Sequence, residues 1–381
     1  MKKLFLTLLV SIIACHLSLA AHSAEYNAAL VADMETGRVL YSEHANDLNY
    51  PASLTKIMTL YLVFDALEHD RLHLDDHLIV SAAAANANPV KLGLLAGSKI
   101  KVEDAIKAVA VLSANDVARV LAENLKGGKE GNFASLMTDV AAQIGLSKTN
   151  FENSSGLPDD DHLSSARDIA LLSMAVYKHF PQYWKYFGIK SWVYGGKTYT
   201  NGNRLLGSYP GCDGMKTGYT NKSKYSLVAT AKRENARVMS VVLGAANKDV
   251  RADVSRRMLD KGFAILGVRP QGQSHGEEQR SENEDNKDKP VNNSTINYKP
   301  SAIRSGGKAA GTAGVQFGAF GSRASASTQQ AKVQSAIGMN TVIESAPNGM
   351  FRVRANGLSE KSAQQIVNQC GAKGIDCYVF H

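Results

Sequence analysis

A serine and a lysine stand three residues apart in Pro51-Ala52-Ser53-Leu54-Thr55-Lys56, just where the apolar run IMTLYLVFDAL begins. On a helix such positions share a face, which stacks the Lys56 amine over the Ser53 hydroxyl. Pro51 suits the entry to that helix, where a missing N–H costs little. A hydroxyl beside an amine is either a solvated pair or an activated nucleophile. The spacing alone is weak, because Ser98…Lys101 and Ser305…Lys308 repeat it. A second element is Ser113-Ala114-Asn115, in a break between two helical stretches; Ser281…Asn283 repeats its spacing. A third, Lys216-Thr217-Gly218, occurs once, within GCDGMKTGYT and just before a predicted strand. All three in this order form a strong signal for a serine nucleophile.

The chemistry places demands on the surroundings. Ser53 Oγ must lose a proton to attack an amide carbonyl. An ordinary lysine, of pKa about 10.4, is protonated at neutral pH. Lys56 becomes a base only when desolvated and set near another cation, and Lys216 is the candidate for that second charge. A downward shift of roughly 3 units corresponds to about 4 kcal/mol between the protonation states. Only a buried, ordered site sustains that. His162 lies in PDDDHLSSARD and invites a metal reading with Asp159 to Asp161. An acidic loop before a helix N-terminus is favoured by the helix dipole anyway, so no metal is assigned.

The elements that must hold these groups follow from patterning. From Tyr26, AALVADMETGRVLYSEHAN reads as two strands around a Glu35-Thr36-Gly37 turn. Helices are predicted after Ser53, over 102–125 with a break near Ser113, and over 164–180 with a serine cap. Residues 224–243 read strand, turn, strand, and 250–265 a closing helix. Strands at both ends with helices between predict an α+β domain whose termini meet in one antiparallel sheet. Past Gly267 the composition turns to Gln, Gly, Ser, Asn, Glu and Lys, which reads as a flexible linker over 269–312. Residues 313–381 then show a βαββαβ pattern, a ferredoxin-like split.

The chain has 381 residues, enough for two domains, and is 44% hydrophobic. Its net charge of +8 suggests an anionic partner only weakly, and no basic block with interleaved aromatics argues for nucleic acid. Residues 1–24 read as a secretory signal: Lys2 and Lys3, an apolar Leu4 to Ala14, then small residues. Ile12-Ile13-Ala14-Cys15 also resembles a lipoprotein signal with Cys15 as the lipidated residue. No later run of about 18 apolar residues predicts a membrane helix. Export would permit a disulfide between Cys370 and Cys377, leaving Cys212 unpaired; the pairing stays open.

The triplet, with DMETGRVLY before it and HLSSARDIA between, resembles the serine-type D-alanyl-D-alanine carboxypeptidases over residues 26–268. These are low-molecular-mass penicillin-binding proteins on the β-lactamase-like fold. The resemblance implies an antiparallel sheet flanked by helices, with the site between the sheet and an all-helical part. It implies an acyl-enzyme on Ser53 and removal of the terminal D-alanine of peptidoglycan stem pentapeptides, with no cofactor. Ser113 would relay protons to the leaving amine, and Asn115 would hold the substrate backbone. Lys216 and Thr217 would receive the terminal carboxylate. Gly218 would let substrate lie against the edge strand, and the backbone N–H groups of Ser53 and Tyr219 would form the oxyanion hole. β-Lactams should acylate the same serine. VQFGAF, FRVRA and GIDCYVF resemble the SPOR domain, a module for denuded glycan strands, with Asn356-Gly357-Leu358 where its members show Gly-Pro-Phe. Gln316 and Arg352 are its candidate sheet-face residues, alternating with Phe317 and Phe351. Rival readings are a D,D-endopeptidase, a β-lactamase and a catalytically dead wall-binding scaffold. The implied location is periplasmic, towards the division septum.

Overall fold

The computed structural model describes residues 25–268, 295–296, 313–345, 350–358 and 360–380. The expected signal with Cys15, and nearly all of the expected linker, lie outside them.

The first domain is built on a five-stranded antiparallel sheet. Its strands are β1 (Ala28–Asp33), β2 (Val39–Glu43), β3 (Cys212–Thr220), β4 (Lys224–Arg233) and β5 (Ala236–Ala245), in the order β2-β1-β5-β4-β3. All six residues of β1 are buried, because helices cover both faces of the sheet's centre. Its antiparallel pairing with β5 sets Leu30 opposite Val241. The two ends of the domain therefore meet in the sheet, as the pattern predicts. The Lys216-Thr217-Gly218 motif lies inside the edge strand β3, not before a strand.

Helix α1 (Lys56–Glu68) is buried from Lys56 through Leu67, the signature of a helix enclosed on all sides. Around it stand α2 (Asn115–Leu125), α3 (Glu130–Ile144) and α4 (Ala166–His179). The Ser165 hydroxyl caps α4 by accepting the Asp168 N–H. The break predicted near Ser113 is a π-helical turn at Ala108–Leu112, which ends at Ser113 with φ +66°. Helix α5 (Lys248–Ile265) covers the sheet, and Asn247 caps it by accepting the Asp249 and Val250 N–H groups.

Two residues of the segment read as linker are held in place. Thr295 bridges to Arg38, and the Ile296 N–H donates to Gly37 O at 2.8 Å. Ile296 joins the core of the first domain because it is apolar in an otherwise polar run. The C-terminal unit runs β6 (Ala313–Phe320), α6 (Arg323–Ile337), β7 (Val342–Ser345), β8 (Phe351–Leu358), α7 (Glu360–Ala372) and β9 (Tyr378–Phe380). Its sheet order is β7-β8-β6-β9, the βαββαβ arrangement expected. It has its own core, containing Val315, Phe317, Val333, Val353, Cys370 and Cys377. Cys370 and Cys377 are thiols in hydrogen-bond contact there, and Cys212 is also free. No described helix is long and apolar enough to cross a membrane.

Gly262 lets α5 settle on the sheet: a Cβ there would lie 2.5 Å from Val238 Cγ1 and 2.8 Å from Val31 Cγ1. Gly262→Ala is expected to cost about 1–3 kcal/mol through overpacking. The check is urea unfolding, where the midpoint should fall at unchanged slope.

Candidate active site

The first motif is not a plain helix start. Ala52–Thr55 forms a 3-10 turn, and Lys56 is the first residue of α1. Ala52 sits at φ +47°, a region that strains a residue with a side chain. Two glycines press on this turn. A Cβ on Gly156 would lie 1.8 Å from Ala52 O, and one on Gly218 would lie 3.0 Å from Pro51 O. The turn carrying Ser53 is thus clamped between a loop and the edge strand β3. Gly218 also lets the strand pack on this turn, since its added Cβ would crowd Pro51 O, a constraint beside the close approach of substrate expected of it.

Lys56 is fully buried. Its Nζ lies 2.9 Å from Ser53 Oγ, 2.8 Å from Asn115 Oδ1 and 2.6 Å from Ser155 O. The Asn115 and Ser155 oxygens can only accept. A neutral amine has two hydrogens and one lone pair, so satisfying both oxygens turns the lone pair to the Ser53 hydroxyl. Burial pushes the Lys56 pKa well below its usual value, and the charge of Lys216 pushes the same way. Glu130 and Asp116 oppose this and raise it.

Ser113 closes the other side. The Lys216 Nζ donates to Ser113 Oγ at 2.9 Å and to Thr217 O at 3.0 Å. Lys216 is buried, and its pKa is pulled down to about 7, first by burial and then by repulsion from Arg251. Asn115 is only 5% exposed and spends its amide N–H on Asn88 O at 3.0 Å. It holds Lys56, a task beyond the substrate contact expected of it. Thr217 is half-buried beside the site. Tyr219 is 49% exposed, its ring 4.3 Å from that of Tyr225, so the ring faces away from the buried lysines.

The structure thus brings together two hydrogen-bonded groups, Lys56 with Ser53 and Asn115 and Lys216 with Ser113, related by the repulsion between the lysines, with Thr217, Gly218 and Tyr219 alongside. It adds residues that sequence reasoning missed. Arg251, on α5, is 7% exposed and supplies a second buried cation behind Lys216. Asp116 accepts the Leu92 and Gly93 N–H groups at 3.0 and 2.9 Å, fixing the loop over α2. Ser155 presents its carbonyl to Lys56. Nothing local marks an arginine in a helix or a backbone carbonyl. Glu152, in the loop beside the site, accepts from Asn150 Nδ2, and partial burial raises its pKa to about 7.

Gln316 and Arg352 lie on the sheet face opposite Phe317, as the alternation predicts, but that face is covered. Gln316 is fully buried and accepts from Arg354 Nε at 2.7 Å. Arg352 pairs with Asp139 of α3 at 3.1 Å, and the Tyr378 hydroxyl donates to the same carboxylate. This face meets the first domain, where Asp139 draws Arg352 and, at 3.7 Å, Arg354.

The family model for D-alanyl-D-alanine carboxypeptidases of the Peptidase S11 type matches residues 16–247, and the SPOR domain model matches residues 309–380. The chain is 33% identical to D-alanyl-D-alanine carboxypeptidase DacF of Bacillus subtilis, covering 71% of this chain and 73% of that one. It is 37% identical to DacC of Escherichia coli over 65% of this chain, and spans 63% of the DacC length. Among solved structures, penicillin binding protein 5 from Haemophilus influenzae superposes with a TM-score of 0.61 at 33% identity, covering 63% of this chain and 71% of that one. Penicillin-binding protein D2 from Listeria monocytogenes, in its ampicillin-bound form, gives 0.58 at 31% identity over 64% and 99%. With a serine, its lysine and the rest of the triplet gathered in one cleft of the matched region, this chain belongs to the Peptidase S11 family of D-alanyl-D-alanine carboxypeptidases and carries a SPOR domain.

Proposed function

We propose that the protein removes the terminal D-alanine from peptidoglycan stem pentapeptides through an acyl-enzyme on Ser53. The observation that carries this reading is the contact of a buried Lys56 amine with Ser53 Oγ at 2.9 Å. Lys56 takes the Ser53 proton as the oxygen attacks the carbonyl of the penultimate D-alanine. The backbone N–H groups of Ser53 and Tyr219 receive the oxyanion, each such donor being worth about 2.7–4 kcal/mol in comparable sites. Ser113, hydrogen-bonded to Lys216, passes a proton to the departing amine. Lys216, with Thr217, receives the terminal carboxylate, and Arg251 adds positive charge behind it. Water then hydrolyses the ester. A β-lactam enters by the same route, because it offers a strained amide to the same nucleophile.

In this reading residues 1–24 direct export, residues 25–268 do the chemistry, and 269–312 tether a glycan-binding module at 313–381. The protein then works in the periplasm, towards sites where glycan is stripped of stem peptides. Gln316 and Arg352 bind glycan only if their face parts from Asp139.

Three outcomes are expected. Intact-protein mass spectrometry with benzylpenicillin should show one adduct on the wild type and none on Ser53→Ala; an adduct on that variant rejects the assignment. Carboxypeptidase kcat/KM should be bell-shaped in pH. Lys56 must be neutral, so activity falls as pH drops through its lowered pKa. Lys216 must be charged, so activity also falls as pH rises through about 7 in the free enzyme. Lys216→Gln removes a repulsion on Lys56, so the acid limb of penicillin acylation should move to higher pH; a limb that stays put contradicts the coupling. Third, pelleting with denuded glycan strands should retain more Asp139→Ala than wild type and less Arg352→Ala. Equal retention of all three would remove this face from glycan binding.

A further inference from the structure

His162 stands outside the three motifs yet forms part of the wall behind them. Its imidazole is 2% exposed and set edge-on to Phe151, with ring centroids 5.6 Å apart. Nδ1 accepts the Glu152 N–H at 3.2 Å. The ring proton therefore lies on Nε2, which donates to Thr55 Oγ1 at 2.8 Å. Burial, and then the nearby Lys56 charge, hold its pKa down to about 3. The ring stays neutral across any working pH and adds no second cation beside the base.

Both of its contacts bear on Lys56. Thr55 directly precedes Lys56 in the turn that carries Ser53. Glu152 opens the loop in which Asn153 Oδ1 accepts the N–H groups of Ser155, Gly156 and Leu157 at 3.2, 2.8 and 3.0 Å. That turn aims the Ser155 carbonyl at Lys56 Nζ, 2.6 Å away, and brings Gly156 against Ala52. A lysine has four rotatable bonds in its stem, so its amine points usefully only if turn and loop keep a fixed separation. The Thr59 hydroxyl ties α1 to the loop by donating to Ser154 O at 2.6 Å, and the imidazole sets the separation at the turn itself, from both sides.

We propose that His162 is a positioning residue for acylation: as a neutral ring donating from Nε2, it locks Thr55 to the Glu152 loop and so fixes the Lys56 amine on Ser53. This rests on the general-base reading of Lys56.

Three variants separate the contacts. His162→Gln can still offer an N–H to Thr55 and, through its amide oxygen, an acceptor to the Glu152 N–H. His162→Asn can accept the Glu152 N–H but falls short of Thr55. His162→Ala does neither. Penicillin acylation rates are measured across pH on the full chain, alongside thermal melts. A misplacement of about 1 Å can cost on the order of 10²-fold. His162→Gln should therefore stay within about threefold of wild type, while the Asn and Ala variants fall by roughly tenfold to 10²-fold. In those two the acid limb should also move to higher pH, since a loosened wall lets water stabilise the ammonium. Lys216, Glu130 and Asp116, the charged groups that act on Lys56, are unchanged throughout. An Asn variant at the wild-type rate, a Gln variant no faster than Ala, or lower melting with an unmoved acid limb would each overturn the proposal. Loss of the wild-type adduct in Ser53→Ala tests the acyl-enzyme reading separately.

Discussion

A buried primary amine sets the terms for the rest of the first domain. An ammonium in the Lys56 position has almost no water to solvate it, so the charged form is the costly one. Two oxygens, from Asn115 and Ser155, use the hydrogens of the neutral form, and what remains is a lone pair facing the Ser53 hydroxyl. The groups that achieve this come from α1, the start of α2, the 152–162 loop and β3. The fold can be understood as the means of bringing four distant segments to one nitrogen.

The electrostatics run in one direction through the cleft. Arg251 pushes on Lys216, and Lys216 pushes on Lys56. Each cation lowers the next, and Glu130 and Asp116 limit how far Lys56 falls. In the proposed mechanism these two lysines of the same chemistry have different jobs: Lys56 serves as the base, and Lys216 keeps a proton to meet a carboxylate. Strain contributes too. Ala52 and Ser113 hold left-handed backbone angles that side chains disfavour, and both sit at the reacting cluster.

Much of this was legible in the sequence, for physical reasons. Ser53 and Lys56 are one turn apart, so their contact is local and spacing reveals it. Ser113-Ala114-Asn115 betrays itself by breaking a helical period. Strands β1, β2, β4 and β5 were readable from apolar runs with clear turns, whereas the edge strand β3, with the sequence CDGMKTGYT, carries no such run and was missed. Other features depend on long-range contacts that no local pattern encodes. Thr55 meets His162 across 107 residues, and Lys56 meets Ser155 across 99. Gly218 was readable as a place where a side chain cannot fit, but the object it avoids, Pro51, emerges only from the fold. Helix α3 follows Gly127 and Gly128 and escaped patterning, and with it went Asp139, whose carboxylate covers Arg352.

The account stands on the protonation state of one nitrogen, which lysine-specific NMR can read directly. In the full chain with 13Cε-labelled lysine, assigned by comparison with Lys56→Arg, the Lys56 signal should show the chemical shift of a free amine at neutral pH. Its titration midpoint should fall far below that of the exposed lysines. A Lys56 signal that keeps the shift of an ammonium from acid through pH 8, while penicillin still acylates Ser53, would contradict it.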